Sequence, residues 1–221
     1  HALAHGAATF GAAEYAERFE RGLPWLDRST SYLDVRADAI LAVLEYWAAT
    51  GATGAAERAL AWAQEIAASR LGDLLPDVPG CPDIHLWGHM QEAALARVGQ
   101  TFDRMDLVDV ARAGAEALFV PRVARAFEAP TTLPFDVSCA VLGLSAVAEA
   151  TGQARYAKQA ELARRWFRGR NAAHCPMYDR RRGLVYDGID DGCINPNSGA
   201  ESNIEGALAL FDSLPWYAYG R

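Results

Sequence analysis

The sequence predicts an all-α protein built of helical hairpins, on three observations. Apolar residues recur at helical spacing along almost the whole chain, and strand-like alternation is rare. Alanine and leucine dominate these periodic segments, which glycine and proline punctuate where helices should end. The polar residues that open every second helix, Asp34, His85 and Asp136, stand 51 residues apart, as a repeated unit requires.

The first helix is expected over residues 4–21, stopped by Gly22 and Pro24. A second, over 31–50, sets Ile40, Leu44 and Trp47 on one face and ends at Gly51. The third covers 53–71 and is closed by Gly72, after which Pro76, Pro79, Gly80 and Pro82 mark a loop. A fourth helix is expected over 83–98 and a fifth over 103–119, with a turn on to Phe127 interrupted at Pro121. Pro130 and Pro134 mark another loop, followed by a sixth helix over 136–151 and a seventh over 153–170. A long polar excursion follows, and its strand-like pieces, 177–179 and 184–186, would pair as a hairpin across Arg180-Arg-Arg-Gly183. The eighth helix, 200–213, sets Ile204, Leu208 and Phe211 on one face.

Glu201 opens that last helix 65 residues after Asp136, an interval lengthened by about the hairpin. Helices opened by Asp34, His85, Asp136 and Glu201 are less charged than their partners, so they are expected to lie inside. The result is an (α/α) toroid of about four hairpins with the inner N-termini facing one way, or an open stack of the same pairs. Helix N-termini present free N–H groups and partial positive charge, which suit anions and hydroxyl acceptors.

A chain of 221 residues, 51% hydrophobic and 22% charged, is expected to form one globular domain over 1–221. Its net charge of −7 and pI of about 5.2 argue against nucleic acid or an anionic membrane as partner. No apolar run is long enough to cross a bilayer. Cys81, Cys139, Cys175 and Cys193 form no Cys-x-x-Cys pair, which leaves structural zinc unsupported. Free thiols and a reducing compartment such as the cytoplasm are expected, with a Cys175–Cys193 bridge as the alternative. Walker, dinucleotide and Gly-x-Ser-x-Gly motifs are missing, and no cofactor or metal is expected.

The segment after the seventh helix contains Trp166-Phe-x-Gly-Arg-Asn171, Pro176-x-Tyr-Asp179, Tyr186-Asp-Gly-Ile189 and Asn195-x-Asn-Ser-Gly-Ala-Glu-Ser202. Together these resemble the closing segment of six-hairpin, glycosidase-like toroid proteins, and in particular the helical domain that accompanies bacterial family-4-type glycosyltransferases. The resemblance covers the last fifth to quarter of the chain. It implies a saccharide or sugar-conjugate ligand and a possible glycosyltransferase partner. Six hairpins at this repeat would need about 300 residues, so the ring is expected to be incomplete.

Glycoside cleavage needs two carboxyl groups flanking the bond, and the candidates are Glu201, Asp187 and Asp136. Each has a structural alternative: Ser198-Gly-Ala-Glu201 and Ser202-Asn-Ile-Glu205 fit capping boxes, Asp187 a turn, and Asp34 and Asp136 plain helix caps. His85, Asp34, Asn195, Asn197 and Glu205 would position a sugar, and Trp87, Tyr178 and Tyr186 would offer aromatic platforms. His85 and His89, four apart on one helix, lack the glutamate of a zinc-protease motif. The basic cluster Arg164, Arg165, Arg168, Arg170 and Arg180 to Arg182 suits either a helix C-terminus or a phosphate or uronate. Three functions follow: an enzyme acting at a glycosidic or anomeric centre, a non-catalytic saccharide or partner domain, and a scaffold or homo-oligomer assembled through residues 216–219.

Overall fold

Alanine-rich periodicity becomes helix at nine places in the computed structural model, which describes residues 1–28 and 30–211. The expected first helix is two, α1 (Ala2–Phe10) and α2 (Ala13–Leu26), divided where Gly11 adopts φ 63°. Pro24 does not stop α2. It falls in the last turn, where its missing N–H forfeits one bond only. The remaining helices are α3 (Leu33–Thr50), α4 (Thr53–Ala68), α5 (Gln91–Thr101), α6 (Met105–Ala124), α7 (Pro134–Thr151), α8 (Ala154–Arg164) and α9 (Ala200–Leu210). Helix α6 runs through Pro121 to Ala124. The seventh expected helix ends early in a 3-10 turn over Arg165–Arg168.

Burial follows the expected inner and outer sets for α3, α5 and α7 against α4 and α8. It does not for α9, expected inside, which buries only Ser202, Gly206 and Ala209, nor for α6, expected outside, which buries residues from Leu107 to Val123. Helix α5 buries Gln91 through Gly99, and α3 and α7 each bury most of their length. The outer α4 and α8 bury one stripe each, Ala59, Trp62 and Ile66 on α4 and Tyr156, Ala160 and Ala163 on α8. Along the inside, α1 packs on α3, α3 on α5, α5 on α7 and α7 on α9, while α2, α4, α6 and α8 back their preceding partners. Residues from α1, α3, α7, α9 and the loop before α5 line one cavity, so the inner helices curve around a shared centre.

The expected hairpin is present as β2 (Tyr178–Asp179) and β3 (Leu184–Val185). A second sheet was not expected. Strands β1 (Thr131–Thr132), β4 (Gly188–Asp190) and β5 (Cys193–Asn195) pair antiparallel in the order β1-β4-β5 and stitch the long excursion to the loop before α7. Helix α9 closes onto β3 at Gly206, where a Cβ would stand 2.5 Å from Val185 Cγ2. The Trp166 motif is an anchor: Trp166 and Phe167 are buried, and Asn171 Nδ2 donates to Trp166 O at 2.7 Å and Cys175 O at 2.8 Å. Arg170 donates to the carbonyls of Val123 and Ala124, so this arginine serves a helix C-terminus. The four thiols are unpaired. Residues 216–219 lie outside the described residues.

The fourth expected helix starts eight residues late, because its first stretch is held by a buried carboxylate. Asp77 accepts the backbone N–H of His85 at 2.8 Å, the Gln91 amide at 3.0 Å and His89 Nδ1 at 2.8 Å. Its own carbonyl accepts Leu33 N–H at 2.7 Å, at the start of α3. His89 is fully buried, with Nε2 lying 3.0 Å from Glu92 Oε2 as a charge contact. Burial alone would lower the His89 pKa, but the Glu92 charge and the Asp77 bond raise it to about 9. The same contact holds the Asp77 carboxyl below its usual value in spite of burial.

Two outcomes follow from that contact. Replacing His89 by alanine leaves Asp77 and Glu92 buried without their cation and should cost about 3–5 kcal/mol in urea unfolding. A histidine whose pKa is raised on folding contributes stability fully below 6.5 and loses it as pH rises through about 9. Asp77 has the opposite sign, its contribution being lost as pH falls below about 4. The urea midpoint should therefore be highest between these limits and decline towards pH 9, and His89→Gln should make the alkaline decline shallower. The remainder comes from His1, which Asp38 and Glu45 also raise to about 9 against the lowering effect of burial.

Candidate functional site

Two inner helices begin side by side where the excursion re-enters the fold. Helix α7 starts at Pro134, whose fixed φ suits a first helical position, and Asp136 Oδ2 accepts Leu133 N–H at 2.7 Å. Helix α9 starts after Gly199, with no side-chain cap. Asp187 holds that start in place: its Oδ1 accepts Gly199 N–H at 2.6 Å, and its own N–H donates to Asn197 O at 2.8 Å.

Between the two helix starts lies a cleft of about 330 Å³ lined by Pro134, Phe135, Asp187, Glu201, Ser202 and Glu205. Behind it is the central cavity, about 420 Å³, lined by His5, Asp38, Met90, Cys139, Leu142, Ile204, Glu205 and Leu208 among others. Glu205 lines both. Ser138 Oγ, on α7, donates to Glu205 Oε2. Burial pushes the Glu205 carboxyl above its usual value. The Ser138 bond opposes this, while the charges of Glu201 and Asp38 add to it. Trp87, 61% exposed, donates from Nε1 to Glu201 Oε1, which places an indole at the mouth.

Across the cavity stands a group that sequence reasoning missed. Glu45 is 3% exposed and sits 2.8 Å from His5 Nδ1 and 3.5 Å from His1 Nε2. Burial would raise its pKa, but the His1 bond and the charges of both histidines lower it. Their spacing could have flagged them: His1 and His5 are four apart and Asp38 and Glu45 seven apart, each a helical same-face interval. Cys139, buried on the cavity wall, has its thiol pushed well up by burial and donates to Leu86 O, so it is no activated nucleophile.

The structure brings Asp187, Glu201, Glu205 and Trp87 together and separates the other candidates from them. Asp136 caps α7 and faces another cavity, as the cap alternative expected. Neither capping box of α9 forms: Gly199 takes the N-cap position, Glu201 meets Trp87, Glu205 meets Ser138, and Ser198 Oγ accepts Asn203 Nδ2. Asp34 is no cap either, since its Oδ1 is buried without a hydrogen-bond partner. His85 is exposed on the loop, joined to Asp77 through its backbone. Asn195 bonds Asp190 and Asn197 N–H within its loop, and Tyr178 and Tyr186 sit on the hairpin, where Tyr186 Oη donates to Asp179 at 3.5 Å.

A scan against protein-family models found no match to this chain, and a search of curated proteins found none either.

Because the Ser138 hydroxyl favours the ionised Glu205, Ser138→Ala should raise the Glu205 pKa further. Carboxyl ¹³C titration by NMR reads this directly, and an unchanged or lower value would show that the hydroxyl does not govern this carboxyl.

Proposed function

We propose that this chain is a carbohydrate-active enzyme whose carboxyl groups act at a glycosidic or anomeric centre in the cleft between α7 and α9. The observation that carries this reading is Glu205, a part-buried carboxyl held above its usual pKa beside two further carboxylates, Asp187 and Glu201. Glycoside cleavage asks for that asymmetry, a carboxyl that keeps its proton facing one that does not need to. Glu205 is the proton donor in this reading. Glu201 or Asp187 stands on the other side of the bond as base or nucleophile. The exposed Trp87 indole suits the C–H face of a sugar ring, and two helix starts offer N–H groups to hydroxyls. The resemblance of the closing segment to six-hairpin, glycosidase-like proteins points the same way.

A second reading, a non-catalytic domain that works in an assembly, is favoured by apolar side chains exposed at both ends of the arc. These are Phe10 and Trp25 near α1 and α2, and Ile204 and Phe211 at α9. A concentration-dependent mass in light scattering would support it.

The enzymatic reading is tested by thermal shift against a saccharide panel, followed by mass spectrometry of products. Saccharide binding should raise the melting temperature by mass action. Glu205→Gln should keep that shift and lower turnover by about 100-fold or more, on the scale of lost general acid catalysis. Turnover of the unchanged protein should fall as pH rises through the raised Glu205 pKa. Full activity in all three of Glu205→Gln, Glu201→Gln and Asp187→Asn would sink the mechanism.

A further inference from the structure

A third cavity, of about 310 Å³, opens on the opposite side of the segment 131–136 from the cleft. Its lining includes Leu86, Arg122, Arg125, Phe127, Thr132 and Asp136. Arg122 is part-buried at the end of α6, with Nη1 donating to Leu118 O at 2.8 Å. Among the described residues, no carboxylate lies within ion-pair distance of Arg122 or Arg125, and the Arg125 guanidinium has no protein partner. Asp136 and the exposed Glu128 also face this cavity and offset part of the positive charge. Asp136, however, is committed through Oδ2 to the Leu133 N–H.

The backbone that sets the two arginines is unusual. Ala126 and Phe127 take φ 53° and 57°, two consecutive left-handed residues without a glycine. Such conformations cost about 1 kcal/mol or more each and gather at ligand-binding turns. Here they are fixed by Phe127 N–H donating to Arg122 O at 2.9 Å and by the Thr132 hydroxyl donating to Phe127 O at 2.7 Å. The turn thus holds two like charges near each other. Burial, and then the Arg125 charge, depress the Arg122 pKa; the Asp136 and Glu92 charges offset this only in part, and a bound anion would relieve the remainder.

The geometry points to an oxyanion site: Arg122 and Arg125 bind a carboxylate or phosphate group of a ligand in this cavity. Guanidinium is the side chain suited to both groups, through paired N–H donors in a planar fork. The site stands apart from the cleft chemistry. Only the further step, that cleft and pocket serve one acidic saccharide, rests on the proposed function. Proximity supports that step, since Leu86 of this pocket precedes Trp87 of the mouth, and Leu133 of the cleft follows Thr132.

The test is calorimetric titration of the folded chain with inorganic phosphate, glucuronate and glucose. Phosphate, glucuronate or both should bind saturably, and glucose should not bind at this pocket. Arg125→Gln and Arg122→Gln should each weaken the anion at least tenfold, while Arg181→Gln, on the hairpin turn and outside this lining, leaves it unchanged. Arg125 is exposed, so its variant carries the test if Arg122→Gln fails to fold. Binding of only one anion identifies the group as phosphate or carboxylate. No anion binding, or equal weakening by Arg181→Gln, overturns the site. Glu205→Gln should not alter anion affinity, which keeps a failure of the cleft mechanism distinguishable from a failure of this pocket.

Discussion

A single buried cation fixes where the mouth of this protein can be. His89 carries its charge fully buried, between Asp77 on the loop after α4 and Glu92 on the first turn of α5. Desolvation of such a group is tolerated only when charge and hydrogen bonds surround it. The partners it recruits come from distant parts of the chain. Asp77 O receives the start of α3, and Gly114 of α6 leaves room for Glu92, since a Cβ there would stand 2.9 Å from Glu92 Oε1. Three helices and a loop are thereby registered on one imidazolium. The loop between Asp77 and His89 then has one path, and that path brings Leu86 to Cys139 and Trp87 to Glu201.

From this point the layout of cavities follows. The segment 131–136 is a partition, with the cleft on one side and the arginine pocket on the other. Strand β1 and Asp136 stiffen the partition by pairing with β4 and capping α7. Helix α9 forms the far wall of the cleft, seated through Gly206 against Val185 of the hairpin. The thirty-odd residues between the 3-10 turn and α9 are therefore mostly scaffold. Few of them line the three cavities described above, yet their hydrogen bonds decide where Asp187 and Glu201 stand.

Local signals were legible in the sequence, and long-range ones were not. Helices α3, α4 and α7 could be read almost to their ends, because apolar spacing and the glycines Gly51 and Gly152 mark them. Prolines misled in both directions. Pro24 and Pro121 are harmless near helix ends, and a helix was expected from residue 83 because nothing local shows that Asp77 captures that stretch. Strands of two or three residues are too short for alternation to register, so only the hairpin with its turn was visible. Among the site candidates, Glu201 and Trp87 were found through their place near helix starts, and Asp187 through its place in the Tyr186-Asp-Gly-Ile189 segment. Glu205 was seen only as a positioning or capping residue, because its distinction comes from burial against Ser138, 67 residues away. Glu45 had only the helical spacing of Asp38 and of the two histidines to mark it, and Arg122 carries no motif, so packing alone sets it apart.

The two walls of the cleft differ in how firmly they belong to the fold. Helix α7 is buried along most of its length, whereas α9 buries only Ser202, Gly206 and Ala209 and leans chiefly on α7 and β3. Regions with few buried contacts open locally at a fraction of the global free energy. A ligand spanning the cleft would act as a clasp, fastening the looser wall to the firmer one. Occupancy and the detachment of α9 would then be coupled equilibria, and slow exchange of amide protons along that one helix would report a filled site without any product being made.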